Sequence, residues 1–103
     1  MYARVISFSG ADPEKREGAI EMIRGTVVPM LRGFDGYAGY LGLYDEENRR
    51  AKAIILWESR DAADAAEEQL VERRKNMTSQ VGIQIESVDL YEAPVFDYEG
   101  AKV

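Results

Sequence analysis

Hydrophobic and polar positions alternate at two different periods along this chain, and the changes of period mark its elements. Residues 53–57, Ala-Ile-Ile-Leu-Trp, form a continuous β-branched and apolar run that ends at Glu58-Ser59. A strand with one wet face would alternate; an unbroken run of this length predicts a strand buried on both faces. Tyr2 to Ser9 is similar, with Val5, Ile6 and Phe8 at its centre. Tyr37 to Tyr44 is a glycine-spaced aromatic strand, joined through the polar tip Asp45-Glu46-Glu47-Asn48 to a strand over Arg50 to Trp57. Ile83 to Ala93 makes a fourth strand, whose scattered Glu86, Asp89 and Glu92 suit a sheet edge.

Between these strands the period shifts to that of a helix. Gly10-Ala11-Asp12-Pro13 supplies a turn, a cap and a proline at the first helical position. Ala19, Ile20, Ile23, Val27 and Met30 or Leu31 then recur at helical spacing. Gly25 and Pro29 predict a kink or an early end near Pro29. Ser59 can cap a second helix over Arg60 to Lys75, with Asp61 and Asp64 early, Arg73 to Lys75 late, and a buried stripe of Ala62, Ala66 and Leu70.

The order strand, helix, strand, strand, helix, strand is that of an α+β, ferredoxin-like fold. Right-handed crossovers place both helices on one face of a four-stranded antiparallel sheet, with the first and third strands in the middle. Residues 1–93 make this domain, and 94–103 make a tail whose Val95, Phe96 and Tyr98 can clasp a neighbour. The helix-free face then needs a cover. Each large apolar side chain buried there stabilises by roughly 1.5–3 kcal/mol, so half a dozen per subunit overcome the roughly 4–15 kcal/mol that association costs. A homodimer with two sheets face to face is expected.

Composition narrows the chemistry. With 13 basic and 19 acidic side chains the formal charge is −6, and no basic stripe compensates, so no nucleic-acid partner is expected. There is no cysteine and no histidine, which removes thiol nucleophiles, thiolate metal sites, Ser-His triads and the commonest metal ligand. No cofactor and no metal are expected: the acidic hairpin tip suits a solvated turn, and the glycines at 33, 36, 39 and 42 lead into a strand rather than a helix start. The first residues lack a charged leader, and no segment approaches the roughly 18 apolar residues that span a bilayer. A cytoplasmic protein with no membrane partner is the expectation.

Phe34-Asp35-Gly36-Tyr37 leading into a glycine-rich strand, then Ile54-Ile55-Leu56-Trp57-Glu58-Ser59 leading into an acidic, alanine-rich helix, resembles the antibiotic-biosynthesis-monooxygenase domain family of the dimeric α+β barrel superfamily. The resemblance covers residues 1–93. It implies a cleft between sheet and helices and a cofactor-independent monooxygenase acting on a small aromatic or quinol-type substrate. The alternative it leaves open is a non-catalytic dimeric barrel that binds a small ligand or assists another protein. Trp57 matches the family's pocket tryptophan, whereas Ala53 stands where the oxygenases carry an asparagine and Ala63 where they carry a helical tyrosine. The haem-degrading branch carries a first-strand asparagine that aligns with Ser7 and a histidine that falls near Glu67, so that chemistry is not expected here.

Ser7, Ala53, Trp57 and Tyr40 are therefore the candidate ligand-binding residues, with Ser7, Ala53 and Trp57 sharing a face if the strands pair in the expected register. The bland reading of Trp57 is a core wedge. Tyr40 and Tyr44 are placed on one face of their strand and Tyr37 on the other. Asp89 and Tyr91, on one face of the fourth strand, join Trp57 as catalytic candidates, since a carboxylate beside a phenol can accept a proton. Against this stands the ordinary preference of tyrosine for strands and interfaces.

Overall fold

The computed structural model describes residues 1–100; the last three residues of the expected tail, 101–103, lie outside them. Strands β1 (Tyr2–Ser9), β2 (Tyr37–Asp45), β3 (Arg50–Trp57) and β4 (Gln84–Glu92) form one antiparallel sheet in the order β2-β3-β1-β4. The first and third strands, β1 and β3, are central, as the element order predicts. This is the expected α+β, ferredoxin-like arrangement.

The first helical segment begins where the sequence says it should. The Asp12 carboxylate accepts from the Glu14 amide, and Pro13 opens a 3-10 turn (Pro13–Lys15) that leads into α1 (Arg16–Met22). The expected interruption appears earlier than Pro29. A π turn (Ile23–Val27) takes up the poor helix formers Gly25, Thr26 and Val27, and α2 (Val28–Leu31) resumes with Pro29 near its start. Leu31 is buried and Ile20, Ile23 and Val27 are half-buried, but Ala19 is exposed, contrary to the periodic reading.

The second helix, α3 (Arg60–Val81), starts as expected, the Ser59 hydroxyl accepting from the Ala62 amide. It runs six residues past the expected end at Lys75, because its stop is Gly82 in the left-handed conformation (φ 74) rather than the basic cluster. Its buried stripe is Ala63, Ala66 and Leu70. Ala62 instead abuts the turn before β2. A methyl on Gly36 would lie 2.5 Å from the Ala62 Cβ, and Gly36 has φ +81. Gly36→Ala is therefore expected to destabilise the fold by about 2–3 kcal/mol, through steric overlap and strain together; a urea titration checks it.

Register divides the sheet into two unlike faces. On the helix side, Ile6, Ala53, Ile55 and Trp57 pack with Leu31, Ala63, Ala66 and Leu70 as the core. The opposite face carries Ala3, Val5, Ile54, Leu56, Leu41, Leu43 and Tyr91, with Leu41 45% and Tyr91 56% exposed. No helix of the described residues is long and apolar enough to cross a membrane.

Candidate functional site

Trp57 is 1% exposed. Phe34 and Tyr37 both meet it edge-on, with ring centroids 6.4 and 5.9 Å away. Trp57 thus pins the end of β3 to the loop that follows α2.

Tyr37 shares this helix-side face with Tyr40 and Tyr44, which corrects the expectation that it lies opposite them. Strand pairing skips Ala38: Tyr37 faces Trp57, but Gly39 already faces Leu56. Such a β-bulge inserts one residue and reverses the alternation beyond it. The result is an aromatic strip along β2 whose side-chain sizes are uneven. Tyr40 and Tyr44 flank Gly42; on β3, Ile55 stands across from Tyr40, while small Ala53 and Ala51 stand across from Gly42 and Tyr44. A methyl on Gly42 would touch the Tyr40 ring at an ordinary contact distance, 3.6 Å from Cε1.

The Tyr37 and Tyr40 phenols are hydrogen-bond donors rather than bases. Burial, reinforced by Tyr37 beside it, pushes Tyr40 up to about 12. Burial also raises Tyr37, partly offset by Arg32. The Tyr44 hydroxyl is buried and has no hydrogen-bond partner among the described residues. A buried O–H without an acceptor is costly and rare, so this is where a ligand oxygen would be welcomed. Arg16 of α1 lies over the Tyr44 ring at 4.6 Å and pairs with Glu46 at 3.7 Å, joining the helix start to the β2–β3 hairpin. The Asp45 carboxylate of the hairpin is occupied elsewhere: Asn48 and then Arg50 hold it down at about 2.

Three expected members lie elsewhere. Ile6, not Ser7, pairs with Ala53, so Ser7 is on the opposite face from Ala53 and Trp57. A one-residue difference in register suffices to reverse the face. Ser7 accepts from Lys52 Nζ at 2.6 Å and lines a groove of about 380 Å³ with Ser9, Arg50, Lys52 and Glu86. Asp89 and Tyr91 also belong to that face, paired with Val5 and Ala3. Neither is brought near Trp57.

A buried ionic layer has no counterpart among the sequence-based expectations. Arg74 donates to both oxygens of Glu67, at 2.8 and 2.7 Å, and Arg4 of β1 approaches Glu67 at 3.7 Å and Asp64 at 3.5 Å. The Arg4 and Arg74 side chains are only 11% and 10% exposed. Burial alone would raise Glu67; the hydrogen bonds and charge of Arg74, with the charge of Arg4, override it and hold its carboxyl below the usual value. The signal for this layer is an arginine set in an apolar strand, and charges seven apart on one helix.

No family model matches the chain. Two uncharacterised proteins of Mycobacterium tuberculosis, one from each of two strains, are 32% identical over 82 residues; the match takes in 80% of this chain and 36% of each relative, so the chain spans little more than a third of their length. Among solved structures, a candidate antibiotic biosynthesis monooxygenase of Deinococcus radiodurans is 16% identical, with a TM-score of 0.71 over 97% of this chain and 100% of that one. The ActVA-Orf6 monooxygenase of Streptomyces coelicolor, solved with nanaomycin D bound, is also 16% identical, with a TM-score of 0.64 over 94% of this chain and 92% of that one. The fold of this chain is that of the antibiotic-biosynthesis-monooxygenase-like proteins, as the run through Trp57-Glu58-Ser59 implies.

Proposed function

We propose that this protein is a cytoplasmic, homodimeric, cofactor-independent monooxygenase of the antibiotic-biosynthesis-monooxygenase family, acting on a small aromatic or quinol-type substrate. The observation that carries this reading is the Tyr40–Gly42–Tyr44 strip on the helix side of the sheet, with its unsatisfied buried phenol, in a fold shared with a monooxygenase solved with a ligand. In such a reaction the substrate supplies the electrons: a hydroquinone and dioxygen become a hydroxyquinone and water. A chain without histidine or cysteine suffices for it. The protein's part is to exclude water, hold the ring beside small Gly42, and donate hydrogen bonds from Tyr44 and Tyr40 to the oxygen that gains charge.

Oxygen consumption with a panel of hydroquinones tests this. Turnover is expected, and Tyr44→Phe should lower kcat/KM by about 10- to 100-fold without altering the fold. No uptake above the uncatalysed rate with any quinol would contradict it.

One observation favours a second reading, a dimeric barrel that binds a small ligand without turning it over. Ala53 and Ala63 replace the polar residues of the oxygenases the chain resembles, and both are buried in the core. Native mass spectrometry of catalytically inactive but ligand-loaded protein would support it.

A further inference from the structure

A second groove, of about 360 Å³, opens between the turn after α2 and the outer side of α3, lined by Met30, Gly33, Phe34, Asp35, Gln69 and Arg73. It shares no residue with the Tyr40–Tyr44 strip, and its chemistry is independent of the monooxygenase reading. Its size is within the range that takes a small organic molecule.

Arg73 is the unusual member. Its neighbour Arg74 is fully engaged, bidentate on Glu67. Arg73 instead donates to the thioether sulfur of Met30, at 3.1 Å, and sulfur is a weak acceptor. Among the described residues no carboxylate oxygen stands within ion-pair distance of it. Arg32 and Arg49 likewise enter none of these ion pairs, but Arg73 is the arginine that lines the groove. Gln69 sits one helical turn before it, so both project from the same side of α3. Beneath them, Phe34 and Met30 provide an aromatic and a thioether surface. A planar charged fork with an amide beside it, in a mainly polar wall that also offers the Phe34 ring and the Met30 thioether, suits a carboxylate attached to a flat ring. Asp35 in the same wall disfavours a second negative charge.

The geometry points to a binding site for small aromatic monocarboxylates, with Arg73 gripping the carboxylate, Gln69 assisting, and Phe34 and Met30 holding the ring. Because Phe34 also leans on Trp57, occupancy reaches the core through that contact.

Calorimetric titration of the full chain with 1-naphthoate, paired with the neutral isostere 1-naphthamide, tests the assignment, with backbone amide shifts locating the ligand. Naphthoate is expected to bind, to shift Gly33, Phe34 and Asp35, and to exceed naphthamide in affinity by about tenfold. Arg73→Gln should abolish that advantage and leave naphthamide binding unchanged; Arg73→Lys should keep part of it. Equal affinity for acid and amide, shifts confined to other residues, or neither heat nor shifts with naphthoate at about 10 mM would overturn the proposal. The acid–amide comparison is made on the unaltered protein, so it holds even if a variant folds poorly.

Discussion

Trp57→Ala is expected to cost about 3–5 kcal/mol of stability, the range for truncating a fully buried aromatic. Trp57 is 1% exposed and receives the edges of Phe34 and Tyr37, so its removal leaves a void that three elements cannot close without moving. Because neither groove has Trp57 in its wall, the loss should show in urea unfolding before it shows in ligand binding. Trp57→Phe should retain most of the packing and cost about 1–2 kcal/mol. A Trp57→Ala protein within about 1 kcal/mol of the parent would contradict the wedge role and restore the pocket-wall reading.

Glu67→Gln should be nearly as damaging, at about 2–4 kcal/mol near neutral pH, because it leaves the Arg4 and Arg74 guanidinium groups buried without their central counter-charge. The effect carries a pH signature. The folded carboxyl titrates below its ordinary value, so its contribution is complete above the unfolded glutamate value of about 4.3 and is lost as pH falls through the folded value. The gap between wild type and Glu67→Gln should therefore be widest at neutral pH and shrink on acidification below about pH 4. Urea midpoints at several pH values, with slopes compared to confirm a common transition, measure it directly. A gap that is constant with pH would mean the pair contributes shape rather than charge.

The wedge and the ionic layer differ in how legible they are. The wedge can be read from the sequence, because an unbroken apolar run ending at Trp57 and a serine cap leave few arrangements of strand and helix. For the same reason the element order, the central placement of β1 and β3, and the caps at Asp12 and Ser59 follow from local chemistry. The ionic layer cannot be read, because Arg4 and Glu67 are far apart in the chain and only the fold brings them together. The candidate site falls between these cases. Its residue types are visible as tyrosines, glycines and alanines, but their faces depend on a bulge at Ala38 and on whether Ile6 or Ser7 meets Ala53. Single-residue features of register leave little trace in a hydrophobic pattern whose strands are apolar on both sides, since both registers look equally greasy. That is why the pattern places Tyr37 and Ser7 each on the wrong face.

The proposed dimer and the proposed substrate site call on opposite faces of this two-sided sheet. If a second copy covers Leu41, Leu43, Ile54 and Tyr91, a substrate has only the helix side left, where the Tyr40–Tyr44 strip lies. Sedimentation velocity on dilute protein is the most direct test of that division. The expected result is a species of twice the 11.6 kDa chain mass that Leu41→Lys converts to monomer. A stable, compact monomer of the unaltered chain, down to low micromolar concentration and up to tens of micromolar, would contradict it.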